Sequence, residues 1–170
     1  MIYPTVVVQF SKLLVNLTVM LDKAAEHAAN KKFDMEVLLQ ARLAPDQFSL
    51  IRQVQVACDT AKLGAARLAG KEASAPSHPD TEQTLAEIKA RVQSVVTYLA
   101  SFSAADFAGA DERRITTPRW QGKSLSGAEF LTQHAVPNMY FHVTTAYAIL
   151  RHNGLEIGKK DYLGELPYRD

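Results

Sequence analysis

Three nitrogen-bearing side chains recur at four-residue spacing late in the chain: His134, Asn138 and His142. Residues four apart on a helix stand one above the other, so such a set can converge on one metal ion or one ligand group, as in the cores of helical bundles. His142 comes first because it lies on an apolar stripe with Met139, Val143, Ala146, Ile149 and Leu150. A ring placed there is costly unless its nitrogens find partners. The direction of His134 is left open by Pro137, which must kink or restart the helix. A metal would need two or three further donors from facing helices. Gln53, at the edge of an apolar stripe in an earlier helix, is the candidate, whereas Gln55 and Asp59 point further away. The plain alternative is a core histidine satisfied by Asn138, a tyrosine hydroxyl or a backbone carbonyl.

Other chemistry finds less support. Gly122-Lys123-Ser124 looks like the end of a phosphate-binding loop, but Thr117 stands where the first glycine is required and no apolar strand precedes it. Ser124 and Ser126 have no base at a motif spacing. The lone cysteine, Cys58, rules out an internal disulfide and zinc-ribbon patterns; it reads as a small buried apolar residue in a protein of a reducing, cytoplasmic compartment. Arg113, Arg114, Arg119 and Lys123 beside Trp120 can cradle an anion, although such loop cations are more often simply solvated. His27, His78 and His152 read as exposed.

The elements that must position these residues are helices. The chain has 170 residues, the size of one domain spanning 1–170, and its 47% hydrophobic and 22% charged composition is that of a soluble globular protein. Nineteen Lys plus Arg against eighteen Asp plus Glu give a net charge of +1, so nothing points to nucleic acid. The apolar start is interrupted by Gln9, Ser11, Lys12 and Asn16 and is read as neither a signal peptide nor a membrane span. Its periodicity predicts a helix from Pro4 to Asn30, with Phe10, Leu13, Leu14, Leu17, Leu21, Ala24 and Ala28 inward. A second helix is expected from an Asp46 cap to Gly70, with Leu50, Val54, Ala57, Ala61 and Leu68 inward. Asp80 or Thr81 should cap a third, carrying Leu85, Ile88, Val92, Val95, Leu99 and Phe102 and stopping at Ser103.

From Ser103 to Leu125 no period persists, which predicts a long crossover holding at most a short strand or hairpin. Ser126 and Glu129 form a capping-box pair that restarts a helix ending at Asn153-Gly154. The tail from Leu155 to Asp170 carries Tyr162, Leu163, Leu166 and Tyr168, which are expected to dock onto the helices. The sum is an all-α, four-helix bundle with a long crossover between the third and fourth helices.

The run from Pro137-Asn138-Met139-Tyr140-Phe141-His142-Val143 through Arg151-His152-Asn153-Gly154, followed by Gly158-Lys159-Lys160-Asp161-Tyr162-Leu163-Gly164, resembles the C-terminal signature of a bacterial family known only as a domain of unknown function. That family is similar to a branch of the DinB/YfiT-like group of metalloenzymes, and the resemblance extends over nearly the whole chain. It implies an up-down-down-up four-helix bundle, a homodimer, and a divalent nickel or zinc ion held by three histidines, one from the second helix and two at HxxxH spacing in the last. The activities it implies are thiol-dependent transfers and isomerisations using glutathione, mycothiol or bacillithiol. On this chain the three positions fall near Gln53 and on Asn138 and His142. Two of the three are amides, weak substitutes for imidazole toward such ions. His142 is then the one metal-ligand and catalytic candidate, within a pocket of Gln53, Asn138, His142 and His134 that takes a small molecule. A metal-dependent transferase or isomerase and a non-catalytic dimeric binding protein are the alternatives.

Overall fold

A computed structural model describes residues 1–169, and Asp170, the last residue of the expected docking tail, lies outside the described residues. The first helix opens with a π-helical stretch, Pro4–Gln9, and continues as α1, Phe10–Lys31. All seven residues expected to face inward are buried. By length and apolarity this helix would cross a bilayer, but here its stripe is buried in the core. A short α2, Met35–Leu39, follows within what reads as loop; Asp34 caps it by accepting from the Glu36 N–H.

The next helix, α3, spans Leu50–Ala69 and ends at Gly70, whose φ of 68° is the left-handed stop expected there. Its N-cap is Ser49, not Asp46, because the chain is still turning at Ala44–Gln47. Helix α4, Leu85–Ala100, is likewise capped later than expected, by a reciprocal Thr84–Glu87 box. Asp80 is not free to cap, since its carboxylate is held by Arg52 and Arg91. The inward stripe of α4 is as expected, with Leu85 only half-buried, and the helix ends at Ala100 rather than Ser103.

The crossover does contain a hairpin. Strand β1, Arg114–Ile115, pairs antiparallel with β2, Leu125–Ser126, in the register Arg114↔Ser126 and Ile115↔Leu125. Short 3₁₀ turns at Ala104–Phe107, Ala110–Glu112 and Pro118–Trp120 fold the rest, and Phe107, Ala110 and Ile115 are buried. The crossover is thus packed rather than solvated. Gly127 is where it docks: a Cβ there would sit 1.7 Å from the Ala110 carbonyl oxygen.

The Ser126–Glu129 capping box opens α5, Gly127–Phe130, which runs through a π-helical turn, Leu131–Ala135, into α6, Val136–His152. In that turn Val136 N–H bonds the Leu131 carbonyl five residues back, and Pro137, which has no N–H to donate, follows directly as the winding continues into α6. Helices α3 and α6 run antiparallel, since Gln53 meets His142, Thr60 meets Asn138 and Gly64 faces Ala135. The four long helices α1, α3, α4 and α6 share one apolar core.

The final helix, α7, Lys159–Leu163, docks on α1, with Asn16 donating to the Tyr162 carbonyl at 2.9 Å and Lys23 paired with Asp161 at 2.5 Å. The tail's buried anchors are Leu155 and Ile157, with Tyr162 half-buried; Leu163, Leu166 and Tyr168 are exposed, contrary to the sequence expectation. The segment is held by backbone and charged contacts instead, including Lys12 to the Glu165 carbonyl.

Candidate functional site

Helix α3 presents Gln53 and helix α6 presents His142, and both are buried, at 1% and 6% exposure. His142 Nδ1 lies 2.7 Å from Gln53 Oε1. Gln53 Nε2 donates to the Phe48 carbonyl at 3.2 Å, which turns the amide so that its oxygen faces the ring. An amide oxygen only accepts, so His142 carries its proton on Nδ1 and leaves a lone pair on Nε2. No protein group bonds Nε2 among the described residues, and the atom is not sealed from solvent. Burial, then the charge of Arg52, hold the imidazole below its ordinary pKa of 6.5, which keeps it neutral near pH 7. The arrangement is a neutral imidazole with a fixed tautomer, suited to accept a proton or a hydrogen bond. The partner of His142 is therefore the pocket residue from the facing helix, not the Asn138, tyrosine or carbonyl of the plain alternative.

Asn138 does not join this pair. Its Nδ2 donates to Thr60 Oγ1 at 2.7 Å, two turns further along α3. His134 is further removed. Its ring stacks on Phe130, with centroids 5.2 Å apart, and meets Trp120 edge-on. Distance along the helix separates it from the pair: His134 and His142 are eight residues apart, about 12 Å at 1.5 Å per residue. Nδ1 of His134 is buried without a partner, and burial, then Arg67, lower its pKa.

A second polar cluster escapes the sequence reading. Arg91 of α4, with a side chain only 1% exposed, donates to Asp59 at 2.7 Å, Asp80 at 2.5 Å and Glu82 at 3.1 Å. Lys62 pairs with Asp59 at 2.9 Å and reaches His78 Nδ1 at 2.8 Å, while Arg52 pairs with Asp80 at 2.5 Å. Gln55 donates to Glu82 at 2.9 Å. Gln55 and Asp59 thus do turn away from His142, as expected, but into this network. The signal was available: Arg91 stands between Ile88 and Val95 on the inward row of α4, three and four residues away. The network straps the connection carrying His78, Asp80 and Glu82 onto α3 and α4. His78 is half-buried rather than exposed, as is His27, which packs edge-on against Phe33.

The basic loop forms no cradle. Arg113 donates to the Leu68 carbonyl at the end of α3, and Arg114 to Ser124 Oγ within the hairpin, which leaves Arg119 and Lys123 solvated. One open cleft of about 660 Å³ beside the hairpin is lined by Glu72, Thr116, Thr117 and Gly122, without those cations. Another, of about 510 Å³, lies at the ends of α1 and α6 around Lys23, His27 and Glu156. Cys58 is fully buried, and burial pushes its thiol up to about 12.

The three-histidine metal set can be tested on the residues present. The oxygen of Gln53 is spent on His142 Nδ1 and its nitrogen on a carbonyl, while Asn138 is engaged with Thr60. Among the described residues no three His, Cys, Asp or Glu side chains are grouped as metal ligands would be. The donors do not fit that set.

The chain is similar over 99% of its length, at 62% identity and a TM-score of 0.96, to a crystal structure of a DinB family member protein from Shewanella denitrificans, 94% of which is covered. No curated protein matches it. The model of a domain-of-unknown-function family, DUF1993, matches residues 2–163. That match spans all the helices described above, and the chain accordingly belongs to the DUF1993 family, with the helical fold of a DinB family member.

Proposed function

We propose that this DinB-like bundle binds a small molecule at the Gln53–His142 pair, with His142 Nε2 accepting a proton or hydrogen bond from it. The observation that carries this reading is the 2.7 Å contact between His142 Nδ1 and Gln53 Oε1, which assigns the tautomer and leaves the outward nitrogen uncommitted. Asn138 and His134 are not needed for it. A reducing, cytoplasmic setting accords with a single, buried, undissociated thiol.

The test is a ¹⁵N-coupled imidazole spectrum of the full chain at pH 8. The reading expects His142 protonated at Nδ1, and the Q53L variant to mix the two tautomers while remaining folded. Protonation at Nε2 in the wild type overturns it. The same sample, mixed with nickel or zinc, is expected to bind neither stoichiometrically at His142.

We further propose a second copy of this chain as partner, as the family resemblance implies, on an exposed apolar ridge of the first helix. Val15 and Val19, one turn apart on α1, and Val8, two turns earlier, are all about half exposed. We read this ridge as a homodimer contact. Light scattering at micromolar concentration should give a dimer mass, and V15D/V19D a monomer; a monomeric wild type removes the proposal.

A further inference from the structure

The connection between α3 and α4 is fastened at both ends and pinned at one point between them. At its start Lys71 is tied to Asp106 and Glu72 to Arg67, and Ser74 Oγ lies 2.8 Å from the Tyr98 hydroxyl. At its far end Asp80, left-handed at a φ of 58°, is clamped by Arg52 and Arg91, each at 2.5 Å, and Glu82 is held by Arg91 and Gln55. Across residues 76–79 one hydrogen bond reaches the rest of the protein among the described residues: Lys62 Nζ to His78 Nδ1, at 2.8 Å. Pro76 and Pro79 have no N–H to give, and Ser77 is exposed.

That bond has a fixed direction. An ammonium only donates, so Nδ1 is a bare lone pair and His78 is neutral, with its proton on Nε2. Lys62 is not free to turn aside, because its side chain is 5% exposed and its Nζ is paired with Asp59 at 2.9 Å. A second proton on His78 sets an N–H against the ammonium across the same 2.8 Å, two donors and two positive charges with no acceptor between them. The half-buried ring is the member that can leave. We infer that His78 is a pH-released pin: neutral, it fastens residues 76–79 against α3, and on protonation it lets them lift away and opens Lys62 and its pair with Asp59 to water. The groups around the ring are Lys62 and Asp59 from α3, Arg91 from α4 and Glu82 from the connection itself. Burial, then Lys62 and Arg91, outweigh the two carboxylates and hold the ring below its ordinary 6.5. The pin is therefore fully set above that value and is lost as pH falls below it. The far end stays fastened meanwhile, since Asp80 and Glu82 are held below 3.8 and 4.5 and keep their charge.

Amide order parameters of Ser77 and His78, measured on the full chain from pH 7.2 to pH 4.5 beside the titration of the His78 ring, test this. At pH 7.2 both amides are expected near the ~0.85 of rigid backbone, falling below about 0.6 at the ring's own midpoint while Ser74 and Glu82 keep theirs. H78N sets an amide oxygen where Nδ1 stands, accepts from Lys62 and does not titrate, so its segment should stay ordered over the whole range. H78A should be mobile at every pH, with unchanged circular dichroism. An ordered segment around a protonated ring, a ring still neutral at pH 4.5, an ordered H78A, or an H78N that loses order in step with the wild type each overturn the inference.

Discussion

Arg91 on α4 reaches Asp59 on α3 at 2.7 Å while its guanidinium is almost wholly shielded from water. The two residues tie the helices together from inside the molecule, with Asp80 and Glu82 closing the ring from the connection between them.

Removing that cation leaves Asp59, Asp80 and Glu82 without their shared partner. R91M should cost about 3 kcal/mol of stability, the lower end for breaking a buried pair because the carboxylates keep some water. Urea denaturation measures it, and a loss within about 0.5 kcal/mol would show that the network contributes little.

The same network predicts a loss of stability in acid. Burial pushes Asp80 and Glu82 up, but hydrogen bonds and charge outweigh it, from Arg91 and Arg52 at Asp80 and from a backbone N–H, Arg91 and Gln55 at Glu82, and hold both below their ordinary values of 3.8 and 4.5. Carboxyls depressed in the folded state stabilise it fully above those values and stop doing so as pH falls through the folded ones. Thermal unfolding between pH 5 and pH 2 should therefore show a steep decline that R91M flattens.

Two histidines act in a higher window. His78 is lowered by burial and then by Lys62 and Arg91, against Asp59 and Glu82; His142 is lowered by burial and then by Arg52. A histidine depressed on folding contributes fully above its ordinary 6.5, and that contribution shrinks as pH drops below it. Proton titrations of the two rings should give midpoints under 6.5, and R52Q should raise that of His142. A midpoint above 6.5 for either ring contradicts the geometry.

Gly127 should accept no side chain. G127A forces the Ala110–Glu112 turn away from the start of α5, since the Ala110 carbonyl occupies the space, at a cost of about 3 kcal/mol. Amide exchange should accelerate from Ala110 to Ile115 while the centre of α3 stays protected.

Cys58, with its thiol raised to about 12, should resist alkylation at pH 8 in the folded protein and react at once in denaturant. Rapid native reaction would mean that the α3–α4 contact opens readily.

The inward stripes of the long helices were legible because a period near 3.6 is a property of neighbouring residues. Phe10 to Ala28, Leu50 to Leu68 and Ile88 to Leu99 are buried as the spacing implied. The Gln53–His142 contact was legible in part, since both residues stand on or beside such stripes. What the pattern could not show was competition for side chains. Asp80 looked like a cap until two arginines claimed it, leaving Thr84 to begin α4. Helix α2, five residues long, had too few turns to display a period. The place of His134 failed for another reason: a shared face does not bring residues together when they stand eight positions, about 12 Å, apart.

The wide turn at Leu131–Ala135 lets the last helix pass Pro137 without breaking, because the Val136 N–H closes its ring on the Leu131 carbonyl and the winding continues into Val136–His152. One uninterrupted rod therefore runs from the Ser126–Glu129 capping box, where the crossover docks, to His142 and its contact with Gln53.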